Sequence, residues 1–184
     1  MIWFTADTHF GHKNILDYIN RPFSSLDEMD EVLIKNWNDK VKPSDEVYHL
    51  GDVALCSPNK LKKILERLNG KIYLIKGNHE KSTEACKNRF EWIKDYYELI
   101  MLDPDGFKGQ QLVVLFHYAM RVWKASHHCT YHIYGHSHGE LPDDPNSLSF
   151  DVGVDRHNYA PINYQDIKKI MKNKNWIKPL LREE

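Results

Sequence analysis

The sequence predicts an α/β (α+β) fold: two β-sheets packed face to face as a β-sandwich, flanked by helices. Three observations carry this. The first half alternates short β-prone runs with amphipathic helical stretches, as parallel strands joined by crossover helices do. The second half is β-rich. No repeat, low-complexity tract or Pro/Gly/Ser linker divides the 184 residues, so 1–184 reads as one domain.

The elements follow in order. Ile2–Ala6 is short, apolar and β-prone, and stops at Asp7. Ser25-Leu26-Asp27-Glu28 fits a capping box, and Leu26, Met29, Leu33 and Trp37 then recur at helical spacing, predicting a helix over about 26–40. Glu46–Leu50 reads as a strand that stops at Gly51-Asp52. Ser57-Pro58 opens a helix with Leu61, Ile64, Leu65 and Leu68 on one face, closed by Gly70. Lys71–Lys76 is a strand that stops at Gly77-Asn78-His79. Trp92–Leu102 and Gln110–His117 are two β-like runs around the turn-rich Asp103–Gly109. Tyr131–Tyr134 is a short strand ending at Gly135-His136, and Leu148–Val154 alternates like another. Asn163 caps a last helix with Ile167, Ile170 and Met171. The stretch Lys168–Arg182 holds six basic residues and no acid, which reads first as a solvated helix face and second as an anion-binding surface.

Composition narrows the class. With 25 Lys+Arg against 26 Asp+Glu the net charge is −1, which is not the footprint of a protein that grips long nucleic acid. No apolar run reaches the ~18 residues of a membrane helix, and the N-terminus lacks the basic start of a signal peptide. Cys56, Cys86 and Cys129 sit at unrelated spacings, so neither a disulfide framework nor a zinc ribbon is predicted, and a reducing, cytoplasmic setting is. The eleven histidines stand out, roughly twice an average share.

Five times a hydrophobic strand runs into a metal-capable residue: Asp7-Thr8-His9, Gly51-Asp52, Gly77-Asn78-His79-Glu80, His117, and Gly135-His136-Ser137-His138. In α/β sheets, sites form beyond the carboxyl ends of the strands. Such ends would gather Asp7, His9, Asp52, Asn78, His117, His136 and His138. Carboxylate, imidazole and amide together suit Mn, Fe, Zn or Ni better than Ca or Mg, and seven ligands fit two ions sharing a bridge. Each piece alone is weak. D-x-H recurs at Asp155-Arg156-His157, and roughly one such match arises by chance in a chain of this size. Singly, Asp7 could cap a helix, Gly51 and Gly77 could serve turns, and His117 could be a core histidine.

The ordered series D-x-H, G-D, G-N-H-E, H and G-H-x-H, from Asp7 to His138, resembles the calcineurin-like metallophosphoesterase family. DTHFGHKNI, RPF and VYHLGD resemble its small bacterial and phage members. The resemblance implies a two-sheet sandwich flanked by helices and two divalent metal ions, Mn first, with Fe, Zn or Ni as alternatives. It assigns Asp7, His9 and His138 to one metal, Asn78, His117 and His136 to the other, and Asp52 to the bridge. It makes His79 a substrate or leaving-group contact. The implied reaction is hydrolysis of a phosphate ester by hydroxide bridging two ions ~3.5–4 Å apart. The metals also neutralise the phosphoryl oxygens, and His79 stabilises the developing charge or protonates the leaving alkoxide. Glu80 either orients nearby groups or is structural.

The series departs from the family's protein Ser/Thr phosphatases, whose second motif is G-D-x-V-D-R-G. Leu55 and Cys56 stand where an orienting acid and a phosphate-gripping arginine would be, so a protein phosphatase is disfavoured. Candidates for the missing clamp are His12, Lys13, Arg21, Arg121, Arg156 and His157; His12 and Lys13 fall at an expected helix start, where phosphate can bind. His127, His128, Cys129 and His132 form a second cluster, a zinc site or surface histidines. Tyr118, Trp123 and Tyr159 could stack on a base or simply pack.

Three functions remain on these residues. The first is a dinuclear phosphoesterase: a phosphodiesterase on a small or nucleotide substrate, with a monoesterase and then a nuclease as alternatives. The second is a binding scaffold on the same fold, like the retromer subunit that resembles this family with an impaired site; the complete ligand set argues against it. The third, a metal-binding protein without catalysis, leaves His79 unexplained. With no room for a large cap domain, the cleft is expected to be open or completed by a second copy in a homo-oligomer.

Overall fold

A computed structural model describes residues 1–179. The chain runs β1 (Ile2–Thr5), α1 (Ile15–Tyr18), α2 (Leu26–Lys40), β2 (Glu46–His49), α3 (Pro58–Leu65), β3 (Lys71–Ile75), α4 (Lys81–Glu84), β4 (Phe90–Lys94), β5 (Tyr96–Phe107), β6 (Gln110–Phe116), β7 (Tyr131–Tyr134), β8 (Ser149–Asp151), β9 (Ile162–Asn163) and α5 (Tyr164–Lys172). One sheet has the order β4-β3-β2-β1-β9 and the other β5-β6-β7-β8. In the first, β1 to β4 are parallel and β9 joins β1 antiparallel. In the second, β5–β6 is antiparallel while β6–β7 and β7–β8 are parallel. This is the mixed α/β, two-sheet, helix-flanked architecture expected.

Strand alternation divides the core. Trp3, Val47, Ile72 and Leu74 pack with Met29, Leu33 and Trp37 of α2 and Leu61 and Ile64 of α3. The intervening residues Phe4, Tyr48 and Ile75 pack with Leu99, Met101, Val113, Leu115 and Ile133 of the second sheet. A strand with period-two side chains and both faces covered must be apolar throughout, which is why β1, β2 and β3 read as continuous runs. α5 adds Tyr164, Ile167 and Met171 to the inter-sheet core.

The helix signals mostly hold. Ser25 Oγ accepts from Glu28 N at 3.2 Å, but the Glu28 carboxylate takes Ser24 N and Oγ rather than Ser25 N, so the capping box is shifted by one residue. Ser57 and Asn163 cap α3 and α5 as expected. The expected helix after His12 is a single turn that starts only at Ile15 and has no side-chain cap, so His12 and Lys13 have no helix N-terminus to share with a phosphate.

Trp92–Leu102 is not one strand. The chain crosses from one sheet to the other at Asp95, with β4 beside β3 and β5 beside β6. Apolar alternation reports which side chains are buried, not in which sheet, and here the rings of Trp92 and Tyr97 meet at 4.7 Å across the crossing.

The basic C-terminal stretch is neutralised locally. Lys168 pairs with Asp103 and Asp105, Lys169 with Asp166, Lys172 with Asp105 and Lys174 with Asp143. The solvated-face reading holds for Lys169 and Lys172, whereas the side chains of Lys168 and Lys174 are largely covered, at 13% and 4% exposure; Arg182 lies outside the described residues. No described helix is long and apolar enough to cross a membrane.

Candidate metal centre

The loops after β1, β2, β3, β6 and β7 meet at one rim, where the two sheets are stitched together. Asp7 N donates to Gly51 O and His9 N to Asp52 O, both at 3.0 Å, so the first two loops continue the strand ladder. His117 Nδ1–H, from the second sheet, donates to Leu50 O of the first at 2.6 Å. Val154 N donates to Ala6 O at 3.1 Å.

Asp7, His9, Asp52, His136 and His138 all adopt left-handed backbone, with φ of +57°, +50°, +56°, +69° and +46°. That conformation costs non-glycine residues of order 1–3 kcal/mol each and persists where surrounding structure imposes it. Here it turns each side chain off its strand end toward a common point. The motif glycines make room for the carboxylates. A Cβ on Gly77 would lie 2.2 Å from Asp52 Oδ1, and one on Gly135 2.7 Å from Asp7 Oδ2.

Two groups of donors result. Asp7, His9 and His138 converge in one, and Asp52, His117 and His136 in the other, each with its ligand atoms within 4.8 Å of one another. Asp52 Oδ2 lies between the groups, 3.5 Å from His9 Nε2 and 3.7 Å from His117 Nε2. Its other oxygen accepts from His79 N at 2.9 Å. Asn78 Oδ1 sits 3.2 Å from His117 Nε2. All seven ligand candidates thus lie together at this rim.

The donor set fits two cations. His117 gives its one N–H to Leu50 O, and burial lowers its pKa, so its Nε2 carries a lone pair toward Asn78 Oδ1 and Asp52 Oδ2. Three acceptors that face one another call for a positive charge between them. Asp7 Oδ1 and His9 Nε2 are buried with no partner. Burial, and then the Asp151 and Asp52 carboxylates, push Asp7 well above the usual carboxylate range. Burial, and then the neighbouring His138, lower His9 to about 2, which leaves it a neutral ligand.

His79 and His12 flank this cluster. The His79 ring lies 5.7 Å from that of His9 and 6.4 Å from that of His12. Leu55 and Cys56 supply neither an acid nor a guanidinium, and among the described residues no side chain hydrogen-bonds the His79 ring. His12 Nδ1 lies 3.2 Å from His9 Nδ1. Tyr118 stacks edge-on against His136, with centroids 4.7 Å apart, on the other flank.

Other clamp candidates do different work. Arg21 is buried and bound to Asp155, Thr8 O and Asp7 O. It is a brace, not a phosphate grip. His157 Nε2–H donates to Asp151 O. Lys13, Arg121 and Arg156 are exposed. Trp123 is buried with its Nε1–H on Thr130, and Tyr159 packs on Phe23 at 4.7 Å, so both are packing residues. Glu80 is buried and accepts from Val53 N and Gly77 N, both at 3.4 Å, tying two ligand loops together.

Sequence reasoning missed Asp155, whose Oδ2 accepts from His138 Nδ1 at 2.8 Å. The signal was present. Asp155 follows the predicted strand Leu148–Val154 as a sixth strand end, but its D-x-H looks like a chance match. Asp30 was missed too: from α2 it accepts from Gly11 N at 2.9 Å and so steadies the loop between His9 and His12.

With this geometry in view, comparison with known proteins places the chain. The calcineurin-like phosphoesterase superfamily domain matches residues 1–150, and the chain belongs to that superfamily. It is thereby a phosphoesterase-type hydrolase of a metal-dependent class. An uncharacterized protein of Methanocaldococcus jannaschii, MJ1445, is 38% identical over 183 residues, covering 92% of this chain and 90% of that protein. The Gene 66 protein of Mycobacterium phage L5 is 35% identical over 81 residues, 42% of this chain and 39% of the phage protein. Among solved structures, a protein of unknown function from Aquifex aeolicus, AQ665, superposes with a TM-score of 0.68 at 26% identity, covering 92% of this chain and 98% of that one.

Proposed function

We propose that this protein is a dinuclear phosphodiesterase acting on a small or nucleotide phosphodiester, with Mn as the first metal to test. The observation that carries it is the convergence of two donor groups on Asp52, with His79 and His12 beside them. Bound divalent ions would supply Lewis-acid charge and a nucleophilic water. Asp7, His9 and His138 would hold one ion, Asn78, His117 and His136 the other, and Asp52 both.

The chain's own residues then do the rest. His9 binds through Nε2, so its Nδ1–H donates to His12 Nδ1, and His12 must carry its own proton on Nε2. His12 thus keeps one N–H suited to a phosphoryl oxygen, on a ring 6.4 Å from that of His79. His79 is held at its backbone by Asp52 and is placed to protonate the leaving oxygen.

The rim of His12, His79 and Tyr118 carries no fixed positive charge, and Arg21 is committed elsewhere. A monoester dianion asks for a guanidinium clamp; a diester has one charge fewer. That supports the diester reading.

The test compares bis-p-nitrophenyl phosphate with p-nitrophenyl phosphate on protein stripped with chelator and reloaded with Mn. Faster Mn-dependent cleavage of the diester is expected. Cleavage of the monoester alone would overturn the diesterase assignment, and no turnover of either would favour a scaffold or a narrow specialist.

A further inference from the structure

We propose that Arg21 and Asp155 are positioning residues that set the cation affinity of one donor group, Asp7–His9–His138, and leave the other alone. The inference rests on the two-metal reading above.

One guanidinium orders three separate pieces of this group. Arg21 meets Asp155 through both carboxylate oxygens, Nε to Oδ1 at 2.8 Å and Nη2 to Oδ2 at 3.0 Å. Nη1 donates to Thr8 O at 2.9 Å and Nη2 to Asp7 O at 2.6 Å. The backbone between the Asp7 and His9 side chains is therefore pinned. Asp155 Oδ2 in turn accepts from His138 Nδ1, so the lone pair of Nε2 faces Asp7 and His9. The side chain of Arg21 is 0% exposed and that of Asp155 10%, so water competes little for these bonds.

In the second donor group Glu80 ties the Asp52 and Asn78 loops through backbone N–H groups, but among the described residues no carboxylate meets the remote nitrogen of a ligand histidine. His117 is anchored by the carbonyl of Leu50, which no side-chain substitution removes, and His136 is exposed. A carboxylate on the remote nitrogen of a ligand histidine fixes its tautomer and raises its basicity; losing it typically costs about 10–100-fold in metal affinity. Arg21 adds what lysine cannot, a planar fork that reaches a carboxylate and two carbonyls at once.

The test is calorimetric titration of MnCl2 into chelator-stripped protein, read alongside Mn electron paramagnetic resonance. Wild type should show two sites and, when loaded, a spin-coupled pair. In Asp155→Ala one site should weaken about 10–100-fold while the other keeps its affinity, so that sub-stoichiometric Mn gives an uncoupled single-ion spectrum. Asp155→Asn, which keeps the shape, should fall between; it carries the test if the alanine variant does not fold. Arg21→Lys should weaken the same site. Two unchanged sites with only a lowered melting temperature would make the brace merely structural and overturn the proposal. Equal weakening of both sites would also overturn it. Wild type that binds no Mn would instead sink the two-metal reading itself.

Discussion

Residues 127–132 and 136–138 lie almost side by side in the chain and are both rich in histidine, yet they end in opposite states. His136 and His138 sit just past the end of β7 in left-handed backbone, and each aims a ring nitrogen at carboxylates from another loop. His132 sits inside β7, on the outer face of its sheet. Its Nδ1–H donates to Val114 O, and its Nε2 accepts from Met120 N at 3.1 Å. Both nitrogens are spent on backbone, and burial lowers its pKa to about 4. It is a neutral strut. His127 and His128 are exposed beside Cys129, and among the described residues no third ligand joins them, so the zinc reading of that cluster does not hold. A histidine becomes a ligand when the backbone leaves one nitrogen unpaired and places it near other acceptors.

The comparison breaks first at Asp52. Asp52→Asn should lower kcat/KM at least about 10³-fold under saturating Mn, because one carboxylate serves both donor groups. The melting temperature of the metal-free variant should not fall, since a buried charge is removed. Full activity in this variant would remove the site assignment.

His132 offers the next largest effect. Folded His132 titrates near 4 and the unfolded residue near 6.5, so the unfolded chain binds the extra proton between those values. Its contribution is complete above about pH 6.5, is lost as pH falls toward about 4, and is constant below. Compared with His132→Gln in chelator, the wild-type stability advantage should shrink by up to about 3 kcal/mol between pH 7 and pH 4. Urea unfolding at each pH measures this, and a pH-independent difference would mean that folding does not lower the pKa of the ring.

At the site, His79→Ala should cost about 10²-fold in kcat with bound Mn unchanged, the pattern of a lost general acid. Metal loss in this variant would reassign His79 as a ligand. Gly135→Ala sharpens the contrast at the same strand end: its Cβ would meet Ala6 Cβ at 2.4 Å. We expect about 2 kcal/mol of destabilisation by urea, together with weaker Mn binding. Smallest of all, His127→Ala with His128→Ala should leave stability within about 0.5 kcal/mol and Mn content unchanged.

Much of this was legible in the chain alone. Periodicity located β1, β2, β3, β7 and the helices α2, α3 and α5 because burial on one or two faces imposes a period on apolar residues. The metal-capable residues stood out because each follows such a run. Other features depend on residues far apart in sequence. Arg21 reaches Asp155 across 134 positions, and no local pattern distinguishes a brace from a phosphate clamp. The sheet change at Asp95, the pairing of the basic C-terminal lysines with acids, and the different fates of His132 and His138 have the same origin. Local order is a matter of neighbours along the chain and can be read from it. The direction in which a ring nitrogen points, and what it meets there, is set by packing between segments that only the folded molecule brings together.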